Sequence, residues 1–217
     1  MLDLKEDRFD RVKKIFGNRF EKLKNSKIII LGVGGVGGVA LDALYRSGVQ
    51  NITIVDYDKF DISNQNRQIG SDRVGEKKVD VLSKLYPNIV AMDLKLSKEW
   101  VEEFDFSSYD LILDAIDDIS VKVALIQKEY KKTISSGGSA KRVDPLKIEY
   151  ISIWKTYNDK FLRKIKQNLK KSGFNKEFKV IFSSEEPKCV DMGSFIGVTG
   201  SFGLLMASLA VQKIVKD

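Results

Sequence analysis

An apolar run, Ile28-Ile29-Ile30-Leu31, passes without a spacer into Gly32-Val33-Gly34-Gly35-Val36-Gly37, and no other stretch narrows the fold as much. An unbroken β-branched run belongs in a strand covered on both faces, as parallel strands are. The G-x-G-x-x-G pattern then lets the backbone turn tightly into a helical pattern, Val36 to Ser47, that Gly48 stops. Asn51-Ile52-Thr53-Ile54-Val55-Asp56 is a second strand, so the unit is β-α-β with an acid about twenty residues after the glycines. Such a turn brings amide N–H groups and a helix N-terminus to phosphate oxygens, and the Asp56 carboxylate suits ribose hydroxyls. An adenine nucleotide is the expected ligand. The glycine motif alone leaves NAD and ATP both open.

The alternation continues downstream. Arg8 to Leu23 reads as one or two short helices, Lys77 to Tyr86 as a helix, Val90 to Leu94 as a strand, and Lys98 to Phe104 as an amphipathic helix. Leu111 to Asp114 is a strand, Ile119 to Tyr130 a helix, Thr133 to Ser135 a short strand, and Ile148 to Ile153 a later, antiparallel strand. The expected fold class is therefore α/β: a Rossmann-like, mostly parallel sheet with helices on both faces, later antiparallel pairing and a buried C-terminal helix. With 217 residues, a single nucleotide-binding domain is expected over 1–217, with N-terminal helices at 8–25, a core at 27–135 and a substrate- and RNA-facing part at 136–217. Met192 to Val211 is free of charge and long enough by count to cross a bilayer. Its glycines and hydroxyl residues lower its apolarity, and the better helix, Phe202 to Val215, is short for a span, so membrane association is not expected.

Composition removes whole classes of chemistry. The chain has no histidine, which excludes a Ser-His-Asp triad, a histidine general base and a histidine-ligated zinc. Its one cysteine, Cys189, allows no internal disulfide and no Cys-x-x-Cys knuckle, consistent with a reducing, cytoplasmic setting. Cys189 lies in a polar, acid-flanked loop and reads as a bystander. The opening Met1 to Asp7 lacks the apolar core of a secretory leader.

The segments after Asp56 favour ATP over NAD. They run Asp56-Tyr57-Asp58, Ser63-Asn64-Gln65-Asn66-Arg67-Gln68 and Val74-Gly75-Glu76-Lys77-Lys78. Arg67 offers a planar fork and Lys78 a point charge, a pair suited to bracketing a polyphosphate. Asp114-Ala115-Ile116-Asp117-Asp118 then sets carboxylates at the C-terminal edge of the sheet, where Mg²⁺ would bridge phosphates. Helix capping is the competing use for Asp117 and Asp118.

Taken in order over Ile28 to Asp118, these motifs resemble the ubiquitin-activating-enzyme-like superfamily, which includes the molybdopterin-synthase and thiamine sulfur-carrier adenylyltransferases. The resemblance implies that ATP lies on Gly32, Gly34, Gly35, Gly37, Asp56, Asp58, Ser63 and Asn64, with Asp56 on the ribose. It gives Asn66, Arg67 and Lys78 to the phosphates, and Asp117, beside Asp118, to Mg²⁺ and the reacting phosphate. Arg67, Lys78 and Asp117 are the implied catalytic residues. It further implies a homodimer in which Arg8 or Arg11 reaches the partner's site. Within the superfamily the chain is most similar to the tRNA threonylcarbamoyladenosine dehydratase group, through Arg8-Phe9, Asn64 to Gln68, Asp114 to Asp117, Ala124 to Ile126, Ser136-Gly137-Gly138, Asp144-Pro145 and Phe182 to Glu185. That group uses ATP to activate the carboxylate of a threonylcarbamoyl group beside the tRNA anticodon, closing it into a ring with loss of water. The alternative reading is an adenylyltransferase acting on the C-terminus of a ubiquitin-like sulfur carrier, for which a sulfur-relay or desulfurase protein would be a partner.

The charge distribution fits an RNA partner rather than DNA. The formal net charge is +7, and Lys155 to Lys179 holds nine basic residues against two acids, so the remainder is neutral. Phe161, Ile165 and Leu169 recur at helical spacing as a docking stripe, leaving Lys160, Arg163, Lys164, Lys170 and Lys171, with Lys166, as a basic face for RNA. Trp154, Tyr157, Phe174 and Phe178 flank it as candidate stacking groups.

Overall fold

The protein is described here by a computed structural model covering residues 7–216. The opening residues read against a leader, up to Glu6, lie outside the described residues. Two short helices, α1 (Asp10–Phe16) and α2 (Phe20–Asn25), lead into β1 (Lys27–Leu31), α3 (Gly35–Arg46), β2 (Asn51–Asp56), α4 (Lys78–Leu85) and β3 (Val90–Asp93). After them come α5 (Lys98–Glu103), β4 (Leu111–Asp114), α6 (Ile119–Glu129), β5 (Thr133–Ser136), β6 (Ile148–Ser152), α7 (Lys160–Lys171), β7 (Lys179–Ser183) and α8 (Ile196–Val215). The strand order is β3-β2-β1-β4-β5-β7-β6, parallel throughout except for the antiparallel β6–β7 pair. The chain leaves β1 toward β2 on one side and returns at β4 on the other, so the C-terminal ends of β1 and β4 form the topological switch point where open α/β sheets hold ligands.

Strand parity explains why the apolar runs are continuous. Ile28 and Ile30 point into one layer with Leu41 and Leu44 of α3 and Phe202 and Met206 of α8, while Ile29 and Leu31 point into the other with Val101 of α5 and Leu125 of α6. A one-residue slip would exchange the two sets, and at about 1.5–3 kcal/mol per buried aliphatic side chain the register is strongly specified. On the far part of the sheet, Val180 and Phe182 of β7 pack with Leu162, Ile165 and Leu169 of α7.

Three elements depart from the sequence expectation. Strand β7 was not expected from its short run, yet it pairs with both β5 and β6 and so carries the sheet beyond β5. Helix α8 begins at Ile196 rather than Phe202 and has 20 residues. Gly203 is where it meets α3: a side chain there would lie 2.5 Å from the carbonyl oxygen of Val36. The helix is long and apolar enough to cross a membrane, but its buried face packs on α3 and the sheet. On α7 the docked stripe is Leu162, Ile165 and Leu169, with Phe161 only half-buried. The Asp159 carboxylate caps that helix through Leu162 N, and Leu162 lies beneath Gly137, which fixes the rotation.

Candidate active site

A cleft of about 790 Å³ opens at the switch point, a volume within the range of small-molecule sites. Gly32 turns out of β1 at φ +84°, a left-handed conformation, and a Cβ there would sit 2.8 Å from the carbonyl oxygen of Ala115. One turn later a Cβ on Gly37 would collide with the Gly32 carbonyl. The turn after β1, the first turn of α3 and the turn after β4 are thus stacked closely enough to require glycine. No side chain caps α3, so its first N–H groups face the cleft as free donors. Asp56, 8% exposed, accepts Val33 N at 2.8 Å and Asp58 N at 2.9 Å, one on each oxygen. Both oxygens keep further acceptor capacity toward the cleft.

The segment 57–77 folds back on itself to aim two cations. Phe60 N reaches Glu76 O, Gly75 N reaches Phe60 O and Lys59 bridges Lys77 in antiparallel fashion, so α4 starts against the cleft wall. Lys78, its first residue, is buried, and its Nζ donates to Asp58 Oδ2 at 2.9 Å. Arg67 lies across the cleft, with one guanidinium nitrogen donating to Ser63 O (2.7 Å) and Asn66 Oδ1 (2.8 Å), while Nε and the other terminal nitrogen have no protein partner among the described residues. The Asp61 carboxylate and the Asn64 side chain cap each other's backbone N–H groups around a single turn, which sets the path into Arg67. Hydrogen bonds from Ser63 hold the Asp61 carboxyl below the ordinary carboxylate range.

Most of the expected residues meet in the cleft. Gly32, Gly34, Gly35, Gly37, Asp56, Asp58, Asn64, Arg67, Lys78, Asp117 and Asp118 all border it. Ser63 and Asn66 do not: they stand behind Arg67 and hold it, and Asn66 also donates to Ser194 O at 2.9 Å. The two neighbouring acids divide their work. Asp118 caps α6, accepting Ser120 N and Val121 N, and the Ser120 hydroxyl, followed by Val121 N, lowers its carboxyl titration, whereas Asp117 is exposed and has no hydrogen-bond or ion-pair partner among the described residues. Mg²⁺ commonly takes one or two carboxylates together with phosphate oxygens, so Asp117 fits such an ion and Asp118 is mostly occupied.

Arg8 and Arg11 lie away from the cleft of their own chain. The Arg8 guanidinium sits 4.8 Å from the ring centre of Tyr45, near the C-terminal end of α3, about 15 Å along the helix from Gly35. Five polar groups on the cleft wall were given no site role from sequence: Lys59, Asp61, Lys95, Ser139 and Thr199. Thr199 arrives because α8 starts early, and a Cβ on Gly35 would lie 2.5 Å from its methyl group. Beneath the cleft floor Asp114 is fully buried, with Oδ1 2.7 Å from Lys122 Nζ and Oδ2 accepting Ser135 Oγ at 2.6 Å. Burial pushes the Lys122 ammonium down from the ordinary lysine value while Asp114 holds against it, and Asp114 also accepts Ile116 N, bracing the turn that carries Asp117. Cys189 is exposed and lies outside the cleft lining.

The ThiF family model matches residues 9–217. The chain belongs to the ThiF family. Among ThiF-family relatives, the tRNA threonylcarbamoyladenosine dehydratase of Bacillus subtilis is 38% identical over 178 residues, covering 77% of this chain and 70% of the relative. The enzyme of that name from Haemophilus influenzae is 27% identical and covers 99% and 96% of the two chains. The E. coli tRNA N6-threonylcarbamoyladenosine dehydratase TcdA, solved in complex with ATP, superposes with a TM-score of 0.89 at 28% identity, over 95% of this chain and 93% of that one. The ThiF-family fold is therefore matched across nearly the entire molecule, including the cleft.

Proposed function

We propose that this chain is an ATP-dependent tRNA threonylcarbamoyladenosine dehydratase, acting in the cytoplasm as a homodimer. The observation that carries the reading is a nucleotide-sized cleft furnished with Arg67, Lys78 and a free Asp117, in a chain similar over nearly its full length to a TcdA solved with ATP. The nucleotide lies on the amide groups opening α3, with its ribose on Asp56 and its phosphates between Arg67 and Lys78. Asp117 would hold Mg²⁺, which when bound would supply charge to neutralise the phosphates.

The substrate carboxylate attacks phosphorus, and the bond to the departing phosphate group breaks. An atom of the same side chain then attacks the activated carbonyl and gives up its proton to solvent, and the carboxylate oxygen leaves on phosphate, so the substrate loses the elements of water overall. Because the attacking group is already in the substrate, the chain needs no nucleophile of its own, in keeping with the absence of histidine and the position of Cys189 outside the cleft lining. ATP consumption should rise with tRNA carrying the threonylcarbamoyl carboxylate and not with tRNA lacking it. Equal consumption with both would overturn the reading.

The basic face of α7 is the RNA-contacting surface in this reading. Lys160, Arg163, Lys164, Lys170 and Lys171 are exposed, whereas Lys166 turns inward, half-buried, to donate to Thr156 O at 2.6 Å. Burial and the nearby Lys170 lower its affinity for its proton. Phe178 is buried and Phe174 packs edge-on against Tyr130, so neither serves as a stacking platform. Replacing Lys164, Lys170 and Lys171 together with glutamine should flatten the salt dependence of tRNA binding by about one unit of slope per lost phosphate contact, with ATP affinity unchanged in a titration.

Since Arg8 and Arg11 stand far from their own cleft, an arginine contribution comes across the dimer. Mixing subunits carrying Arg8→Ala and Arg11→Ala with Lys78→Ala subunits should restore part of the activity that neither variant shows alone. Absence of rescue at every mixing ratio would remove both arginines from the partner's site.

A further inference from the structure

A second hollow, of about 380 Å³, lies between the start of α7 and the 156–159 segment. Its cations are uncommitted: neither Lys160 nor Arg163 has a side-chain partner among the described residues, and Lys166 spends one of its three donors on Thr156 O. Tyr157 stands on its rim, its ring centre 5.6 Å from that of Phe182 at an interplanar angle of 71°, and with 54% of the residue exposed the ring is accessible from solvent. That ring is held rather than loose. Asn158 takes a left-handed conformation (φ 53°), its side chain donates to Ser184 O, and its carbonyl accepts the buried Arg142 guanidinium. Three cations, Lys160, Arg163 and Lys166, outnumber the two acids of the lining, Asp159 and Glu186, so the hollow keeps a net positive charge. The Asp159 carboxylate is spent on Leu162 N and Gly138 N, leaving Glu186 as the one free acid on the rim.

The hollow also adjoins the cleft. Gly138, tied to Asp159, is the neighbour of Ser139, which lines the cleft wall. A solvent-accessible aromatic ring beside free cations is the chemistry that holds an unpaired nucleotide, base on ring and phosphate on cation.

Resting on the tRNA reading above, we infer that this hollow is a subsite for an unstacked RNA nucleotide close to the reacting adenosine, with its base on Tyr157 and its phosphate on Arg163 and Lys160. The test is binding of an anticodon stem-loop RNA hairpin to the full chain by fluorescence anisotropy, alongside an ATP titration. Tyr157→Ala should weaken hairpin binding about tenfold, Tyr157→Phe should stay within about twofold of the parent, and Arg163→Gln should lower the salt slope by about one unit, with ATP affinity constant in all three. Equal losses in the alanine and phenylalanine variants, or no loss in either, would overturn stacking at Tyr157. An effect of Arg163→Gln on ATP rather than RNA would assign the hollow to a free nucleotide and overturn the RNA subsite. If the parent chain turns over tRNA and Tyr157→Ala and Arg163→Gln bind the hairpin as tightly as it does, the subsite alone fails. If the parent binds no RNA, the tRNA reading and the subsite fall together.

Discussion

Lys78→Ala should lower ATP-dependent turnover by about 10²–10³-fold, because a buried cation aimed at the phosphates acts on charge that grows as phosphorus reacts. Lys78 is buried with its Nζ on Asp58, and that pairing keeps the ammonium preorganised at the cleft wall. Removing it strands no deeply buried charge, since the Asp58 side chain is 48% exposed and can take up water. The fold should persist, with an unchanged circular dichroism spectrum, while ATP affinity drops. Full activity in this variant would mean that the phosphates do not lie between Lys78 and Arg67.

Asp117→Asn should separate binding from chemistry. The side chain is exposed and has no hydrogen-bond or ion-pair partner among the described residues, so its loss costs the fold little. A carboxylate holding Mg²⁺ against the reacting phosphate should cost about 10²-fold or more in kcat, while ATP affinity falls by less than tenfold. The contrast with Asp118→Asn is informative. Asp118 caps α6 through Ser120 N and Val121 N, and an asparagine retains that acceptor, so activity and melting temperature should both stay near the parent. If the two replacements behaved alike in steady-state kinetics, Asp117 would be a structural acid and not a metal-facing one.

The parts of this molecule governed by local rules were legible before any coordinates. The glycine turn, the acid ending β2, the cations at Arg67 and Lys78 and the mostly parallel sheet follow from apolar runs and phosphate-binding chemistry, and they meet at one switch point. The missed features depend on contacts distant in sequence. Strand β7 is five residues long and takes its place from partners β5 and β6. Thr199 and Ser139 reach the cleft only because α8 and the loop after β5 pack there. The start of α8 was placed at Phe202, after a stretch whose glycines and hydroxyl residues lower its apolarity, whereas the helix begins at Ile196 and at Gly203 the absent side chain is what lets it approach α3. Lys122, which falls within the helical stretch Ile119 to Tyr130 and was given no role from sequence, is fully buried on Asp114. Ser63 and Asn66 were placed on the nucleotide by motif, and geometry gives them the task of holding Arg67.

The most direct measurement is mass analysis of the nucleosides released from threonylcarbamoyladenosine-bearing tRNA after incubation with this protein, Mg²⁺ and ATP. The account predicts that the threonylcarbamoyladenosine peak gives way to a species lighter by one water, only when ATP is present, and far more slowly with Lys78→Ala. An unchanged nucleoside mass with folded, ATP-binding protein would contradict it.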